Sequence, residues 1–210
     1  MRTDVWQELH DDLAPGLQPG GETYAAAAGD SAVLLPIRTL GDGRRLASLI
    51  INQASFKVLD HLCDMLAAQI APYVPDVIVG VPTLGLPVAE GLARRIGHTR
   101  FVPLGVARKC WYDEALSVPL KSITTPGAGK RLYLDPRMRP LLRGRVVVVD
   151  DVLSSGSSIA AVLDLLDLVA VTPTAIGAAM LQGEAWATRV RGIPVEGALR
   201  TPSLPPVGEV

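Results

Sequence analysis

Apolar positions along the middle of the chain alternate between helical spacing and short continuous runs. An amphipathic helix is predicted first, because apolar side chains recur at spacings of three and four: Phe56, Leu59, Leu62, Cys63, Leu66 and Ile70. The run "DVIVGV" at 76–81 then predicts a strand buried on both faces. Pro87 suits the first turn of a second helix that extends through Ile96, with Gly97 as its C-terminal cap.

The same alternation continues toward the C terminus. The segment "RFVPLGVA" at 100–107 predicts a strand, although Pro103 weakens this assignment. The run "RVVVVD" at 145–150 is the strongest strand signal, and it is followed by a helix at 158–169 and a strand at 173–181. This order predicts an α/β fold, a central parallel sheet with helices on both faces. Ligands of such sheets bind at the carboxyl ends of the strands.

The N-terminal part has a different pattern. The runs "SAVLLPIRTL" and "RLASLII" flank a Gly-Asp-Gly turn and predict a β-hairpin. We expect this hairpin to form a small hood, mainly residues 20–51, with room for a contribution from the C-terminal tail. The hood would cover a core at about 52–185, and we expect the whole chain, residues 1–210, to form one domain.

Residues 108–142 are polar and rich in proline and basic side chains. A connection of this length is usually a lid or a binding loop, or else disordered. Within it we expect Trp111 and Tyr112 to be packing residues.

Composition and charge narrow the class of protein. Hydrophobic residues make up 49% and charged residues 20%, as in globular soluble proteins. The formal net charge of −1 argues against a broad surface for nucleic acid. Apolar stretches are interrupted by Asp164, Asp167 or prolines, which argues against a membrane span, and "MRTDVWQELHDD" lacks the apolar core of a signal peptide. We therefore expect a cytoplasmic protein without nucleic-acid or membrane partners.

The two cysteines support the same compartment. Cys63 and Cys110 are far apart and lack the spacing of a zinc site. We expect each to be a buried, reduced thiol.

Candidate chemistry is concentrated after the strongest strand. Asp150 and Asp151 are adjacent carboxylates, and they precede a loop of small residues: Ser154, Ser155, Gly156, Ser157 and Ser158. The loop leads into a helix, so that backbone N–H groups and hydroxyls could hold a phosphate monoester, with glycine allowing close approach. Carboxylates accept hydrogen bonds from sugar hydroxyls, or bind an amine or a metal. A ligand with a phosphate next to sugar hydroxyls would satisfy both features, and a ribose 5-phosphate is such a ligand.

This stretch also has simpler interpretations. A serine loop that caps a helix beside a solvated aspartate is common in α/β proteins. The segment "TTPGAGKRL" lacks the first glycine of a P-loop, and no glycine stands two positions before Ser155 as in a nucleophile elbow. The acid pair and the phosphate loop together are more specific than either alone.

The stretch "VVVVDDVLSSGSS" resembles the phosphoribosyl pyrophosphate (PRPP) motif of type I phosphoribosyltransferases, and supporting features cover about residues 50–185. The resemblance implies that Asp150 and Asp151 bind the 2- and 3-hydroxyls of ribose. It also implies that the serine loop, residues 154–158, holds the 5-phosphate. Serine stands where threonine is more common in the family.

A second stretch, "GVPTLGLP", resembles the family's pyrophosphate loop, which binds through backbone groups. The matching residues are Pro82, Thr83, Leu84 and Gly85. The basic residue that many members carry there is absent, so more of the pyrophosphate charge falls to the next loop. Taken alone, the stretch is an ordinary strand-to-helix turn.

A third stretch, "GVARKCWYDEALSVPLKSITTP", resembles an Arg-Lys pair on a strand followed by a loop that closes over PRPP. Arg108 and Lys109 match the pair, and Lys121 is a candidate loop cation. A solvated basic face is the simpler interpretation of these three residues.

The resemblance implies transfer of the 5-phosphoribosyl group from PRPP to a nucleobase, with release of pyrophosphate. It implies Mg²⁺ held mainly by PRPP oxygens with few protein ligands, Asp150 and Asp151 being candidates to contact the ion through water, and a homodimer. A purine such as adenine or xanthine is favoured by the context of the Arg-Lys pair. Orotate as the acceptor, and a non-catalytic PRPP-binding regulator, are the open alternatives.

Overall fold

The computed structural model of the chain describes residues 3–41, 43–120 and 130–204. Its N-terminal strands are β1 (Leu9–His10), β2 (Gly16–Leu17), β3 (Thr23–Ala28), β4 (Ser31–Thr39) and β5 (Arg45–Ala47). The helices and strands that follow are α1 (Phe56–Ile70), β6 (Val77–Gly80), α2 (Gly85–Arg95), β7 (Val102–Pro103), β8 (Ser117–Pro119), β9 (Arg131–Tyr133), β10 (Val146–Leu153), α3 (Ser157–Asp167), β11 (Ala175–Gln182) and β12 (Val195–Thr201). None of the helices in these ranges is long and apolar enough to cross a membrane.

The central sheet has five strands in the order β12-β11-β10-β6-β7, and all four pairings are parallel. This confirms the predicted parallel sheet. The strand predicted at 100–107 is reduced to β7, a two-residue edge strand that ends at Pro103. A short edge position suits proline, because it cannot donate to a continuing ladder. The opposite edge, β12, lies beyond the residues expected to form the core.

The two faces of the sheet bury alternate side chains of β10. Val147 and Val149 face the cluster that contains α1 and α2, whereas Val146 and Val148 face the cluster that contains α3. This period of two, with both sets fully buried, is what a continuous apolar run dictates in a sheet covered on both sides. Helices therefore cover both faces, as the sequence predicts.

The first helix begins and ends where its apolar spacing predicts, after Ser55, whose hydroxyl accepts a hydrogen bond from Val58 N–H at 3.2 Å. The buried face of the helix differs from the prediction at its first turn, where Phe56 is 83% exposed and Val58 is buried. The expected cap of the second helix is confirmed: Gly97 follows α2 with a φ of 82°.

The hood contains the predicted hairpin, in which β4 and β5 pair antiparallel from Ile37–Ala47 to Thr39–Arg45. It is larger than expected and begins at Leu9, because β1 and β3 pair antiparallel with β4, and β2 pairs antiparallel with β3. The β3 segment "TYAAAA" was not predicted, since alanine is a weak strand signal. An antiparallel bridge joins Arg45 to Leu204, so that the C-terminal segment also contacts the hood.

The described parts of the segment 108–142, residues 108–120 and 130–142, contain more regular structure than the expected loop. Strands β8 and β9 pair antiparallel there, and three buried leucines pack with α3: Leu116, Leu132 and Leu134. Alternation of apolar and polar residues over only three positions was too short to predict these strands. Lys121 lies outside the described residues. Cys63 is a buried free thiol as expected, but Cys110 is exposed, because it lies in the irregular segment before β8.

Candidate active site

The acid pair lies where the central sheet narrows. Strand β6 stops opposite Val149, while the ladder between β10 and β11 continues to Leu153. Asp150 is only 4% exposed, and the Asp151 N–H donates to Asp150 Oδ1 at 2.8 Å. The strand signal ends at residue 150 in the sequence. The observed strand is longer, because β11 keeps β10 extended to Leu153, two residues beyond the pair.

Burial controls the ionisation of both carboxyls. It raises the pKa of Asp150 well above the ordinary value, and the charge of Asp151 raises it further. The pKa of Asp151 is raised by burial as well, and its hydrogen bond with Asp150 opposes the rise. Within the described ranges neither carboxyl has an ion pair. The two groups thus offer acceptors to hydroxyl donors without a competing protein cation.

The turn between β6 and α2 packs directly on this pair. The peptide bond between Pro82 and Thr83 is cis. A Cβ on Gly85 would lie 2.8 Å from Asp150 Cα, 2.9 Å from its Oδ1 and 3.1 Å from the Val149 carbonyl oxygen. The structure therefore brings the predicted pyrophosphate turn and the acid pair together through Gly85. No side chain of the turn, residues 82–85, is charged.

The serine loop joins β10 to α3. Ser155 Oγ accepts a hydrogen bond from Ser157 N–H at 3.3 Å and lies 3.1 Å from Ser157 Oγ. Gly156, at the N-cap position, has φ 75° and ψ 6° and provides no side chain to cap the helix. The first-turn N–H groups thus point out of the helix end, toward the loop, as in an anion site.

The structure shows why residue 156 is a glycine, for a reason that the sequence did not reveal. A Cβ there would lie 2.8 Å from Arg189 Cβ and 2.9 Å from Trp186 Cα. These residues belong to a 3-10 turn at Ala185–Arg189. The glycine was expected to admit a ligand; the structure shows that its missing side chain makes room for this turn.

The basic pair occupies a different setting from the expected one. Arg108 and Lys109 follow β7 in irregular backbone, because β7 ends at Pro103, and they are not on a strand. Arg108 Nε lies 2.8 Å from Glu114 Oε1, and both side chains are at least half exposed. Arg108 therefore contacts the segment before β8, and within the described part of the chain no hydrogen bond or ion pair joins it to the acid pair.

Trp111 fixes the segment that carries the basic pair. Its Nε1–H donates to Asp135 Oδ2 at 3.2 Å, and the Arg137 guanidinium lies 5.1 Å from its ring centroid. Arg137 also binds Asp135 at 2.8 Å and lowers the pKa of that carboxyl to about 2. Trp111 is 53% exposed, so the packing role expected for it is only part of its contacts. Nothing in the spacing of residues 111, 135 and 137 indicates this cluster.

A cavity of about 820 Å³ opens in the hood. Its walls combine apolar and polar side chains, among them Trp6, Glu22, Ile37, Arg38, Arg45 and Gln53. The hood is joined to the carboxyl end of β11 by the buried Gln182, whose Nε2 donates to the Ala47 carbonyl at 2.7 Å. The cavity is more polar than most small-molecule pockets, which are predominantly apolar with a few placed polar groups.

Comparisons with known proteins agree with the motif. The profile of the phosphoribosyl transferase domain family matches residues 47–190. A hypoxanthine/guanine phosphoribosyltransferase of Methanosalsum zhilinae is 36% identical over 93 residues, 44% of this chain and 44% of that protein. One of Methanosarcina mazei is 30% identical over 115 residues, 54% of this chain and 56% of that protein. The chain thus matches about half the length of these curated relatives.

Solved structures show the same fold. The adenine phosphoribosyltransferase of Thermoanaerobacter pseudethanolicus superposes with a TM-score of 0.62 at 22% identity, covering 79% of this chain and 95% of that one. At this identity the likeness concerns the architecture of the chain.

Proposed function

This chain belongs to the phosphoribosyl transferase domain family, and on that basis we propose that it transfers a 5-phosphoribosyl group from PRPP to a purine base and releases pyrophosphate. The observation that carries the proposal is the contact of Gly85 with Asp150. This contact brings a strand-to-helix turn against the acid pair. Two residues, 152 and 153, separate the pair from the serine loop that opens a helix.

In this proposal the acid pair holds the ribose. Asp150 and Asp151 accept hydrogen bonds from the 2- and 3-hydroxyls, which are donors that two neighbouring carboxyls can share. The serine loop, residues 154–158, takes the 5-phosphate on its hydroxyls and on the first N–H groups of α3. The sugar is thereby fixed at both ends, so that C1 is presented in one orientation.

In this proposal the leaving group at C1 is pyrophosphate. The turn Pro82, Thr83, Leu84 and Gly85 offers backbone groups but no charge. Positive charge comes from Arg108 and Lys109, and Lys121 is proposed as a further cation. As the C1–O bond breaks, the sugar becomes oxocarbenium-like and charge accumulates on the leaving group, which fixed cations stabilise.

The residues present are compatible with Mg²⁺ supplied together with PRPP. Within the described residues no group of three or more His, Cys, Asp or Glu side chains could hold a metal ion. Mg²⁺ commonly keeps several waters and binds substrate phosphates with one or two carboxylates. Asp150 and Asp151 would contact it through water, and the ion would neutralise part of the pyrophosphate charge.

The hood cavity is the proposed acceptor pocket. Its polar groups, Glu22, Arg38 and Gln53, can pair with the donors and acceptors of a purine edge, while Trp6 and Ile37 provide apolar walls. The curated relatives that match this chain are named hypoxanthine/guanine phosphoribosyltransferases, which supports a purine. Arg38→Gln should raise KM for the base and leave PRPP affinity unchanged. Arg94→Gln, on the exposed surface of α2, is the matched control.

The deciding experiment is a panel assay. Purified protein with Mg²⁺ and PRPP is given adenine, guanine, hypoxanthine, xanthine, uracil or orotate, and pyrophosphate release is measured. We expect release with at least one purine and little with the pyrimidines. Release with orotate alone would make orotate the acceptor. Tight PRPP binding without release for any base would identify a regulator.

The assembly and location of the protein are part of the proposal as well. We expect a homodimer, which light scattering on the full chain would test. We expect it to act in the cytoplasm, where PRPP and reduced thiols coexist.

A further inference from the structure

The serine loop follows two acidic residues in the sequence and contains no basic residue to offset them. Residues 154–158 are four serines and a glycine, and the two residues Asp150 and Asp151 lie just before them. The turn at 82–85 also carries no cation. A phosphate monoester has a charge of roughly −1.5 to −2 at pH 7. Neutral donors alone would have to hold it beside two acidic groups.

One cation lies against this loop. Arg189 ends the 3-10 turn Ala185–Arg189, and a Cβ on Gly156 would lie 2.8 Å from Arg189 Cβ and 2.9 Å from its Cγ. The aliphatic stem of Arg189 therefore packs on the middle of the serine loop. The residue is exposed, and Cβ and Cγ are the atoms of Arg189 that lie against the loop.

Within residues 3–41, 43–120 and 130–204, the guanidinium of Arg189 makes no hydrogen bond or ion pair. The guanidinium of nearby Arg191 makes two ion pairs. Arg191 binds the carboxylates of Asp164 and Asp167 on α3. The two arginines thus lie two residues apart with different roles. Arg191 fastens the segment to the helix, and Arg189 keeps its donors available.

We propose that Arg189 is a phosphate-binding residue, whose guanidinium extends over the serine loop and supplies positive charge to the 5-phosphate of the ribosyl donor. This inference rests on the proposed function, since it assigns a ligand group to that site. Arginine suits the task because its planar fork matches phosphate oxygens and it stays charged at all working pH values. Its flexible stem is already held in place by the contact with Gly156, which reduces the ordering cost of binding.

The test is binding of ribose 5-phosphate, Mg²⁺–PRPP and pyrophosphate to the full chain, measured by calorimetry. The variants are Arg189→Gln, Arg189→Lys and, as the matched control, Arg191→Gln. We expect Arg189→Gln to weaken ribose 5-phosphate and PRPP by about tenfold, and to leave pyrophosphate within twofold. We expect Arg189→Lys to recover part of the loss, and the deficit of Arg189→Gln to shrink at high salt because exposed charges are screened.

Several outcomes would overturn the inference. They are unchanged ribose 5-phosphate affinity in Arg189→Gln, an equal loss in Arg191→Gln, or an equal loss for pyrophosphate. Thermal unfolding of each variant distinguishes lost contacts from lost folding, and Arg189→Lys keeps the charge if Arg189→Gln is unstable. If the wild type itself fails to bind Mg²⁺–PRPP, the proposed function is wrong, which is a different result from a wild type that binds and a variant that binds equally well.

Discussion

Gly85 and Asp150 approach so closely that even a methyl group would not fit between them. A Cβ at position 85 would lie 2.8 Å from Asp150 Cα and 2.9 Å from Asp150 Oδ1. Because the nearest atom belongs to the backbone of a central strand, it cannot move aside as a flexible side chain would. The position of the acid pair therefore depends on a residue that has no side chain.

The first prediction concerns this contact. Gly85→Ala should destabilise the protein by about 1–3 kcal/mol, the usual cost of overpacking. PRPP turnover should fall by more than the loss of folded protein explains, because the strain displaces Asp150. Chemical unfolding and steady-state kinetics on the same preparation measure the two effects.

Gly41→Ala is the matched control, since a Cβ there meets nothing within 4 Å. We expect it to retain both stability and turnover. A Gly85→Ala protein with normal kinetics would show that the turn and the acid pair are not coupled.

The second prediction concerns the buried carboxyl of Asp150. Burial raises its pKa, so the folded protein binds a proton that the unfolded chain releases above a pH of roughly 4. The stability of the ligand-free protein should therefore fall as the pH rises from that value toward the raised pKa. Asp150→Asn removes this cost, and we expect its Tm at neutral pH to rise; each 1 kcal/mol gained corresponds to roughly 2–4 °C in a chain of this size.

Thermal scans from pH 4 to pH 8 measure the difference, which should disappear at the acid end. Turnover of the same variant should fall, because the amide lacks the charge that strengthens a hydrogen bond, a loss of roughly 1.5–3 kcal/mol. The exposed Asp12→Asn should change neither quantity. Full activity of an Asp150→Asn, Asp151→Asn double variant at low PRPP would contradict the assignment of the pair.

The third prediction separates backbone strain from packing at Gly156. Its φ is 75°, and Gly192 has the same φ with nothing within 4 Å of its position. Gly192→Ala should cost about 1–2 kcal/mol, the penalty of the left-handed conformation. Gly156→Ala should cost that much and a further 1–3 kcal/mol, roughly, for the clash with the 185–189 turn.

PRPP affinity should fall in Gly156→Ala and stay unchanged in Gly192→Ala. Denaturant titrations give the first comparison and calorimetry the second. Normal PRPP affinity in a folded Gly156→Ala protein would mean that the serine loop only caps the helix.

The fourth prediction concerns the basic pair. If Lys109 stabilises departing pyrophosphate, its charge matters more in the transition state than in the bound complex. Lys109→Met should bind Mg²⁺–PRPP within about tenfold of the wild type, a difference near 1.4 kcal/mol. Its kcat should fall much further. Lys57→Met, at an exposed ion pair with Glu8, is the control, and equal losses of binding and kcat in Lys109→Met would contradict a role in the leaving step.

The sequence predicted the strand at Val146–Val149 and the parallel sheet, because a continuous apolar run has few alternative structures. The acid pair and serine loop could be placed from the same stretch, since they are adjacent along the chain. The hood strand Thr23–Ala28 could not be predicted, because alanine fits several structures equally well. The contact of Gly156 with Arg189 joins residues 33 positions apart in the sequence, and no local pattern carries it.

The hydrogen bond from Gln182 to the Ala47 carbonyl bears on how the acceptor could enter. Both ends are inside the protein, and Gln182 is 6% exposed. Lifting the hood away from the sheet as a rigid body would break this bond, and an unpaired buried amide costs about 1–3 kcal/mol. It would also open the core that hood residues such as Leu35 share with α1. If the hood cavity is the acceptor pocket, as proposed, the base would enter and leave while the hood stays packed on the sheet.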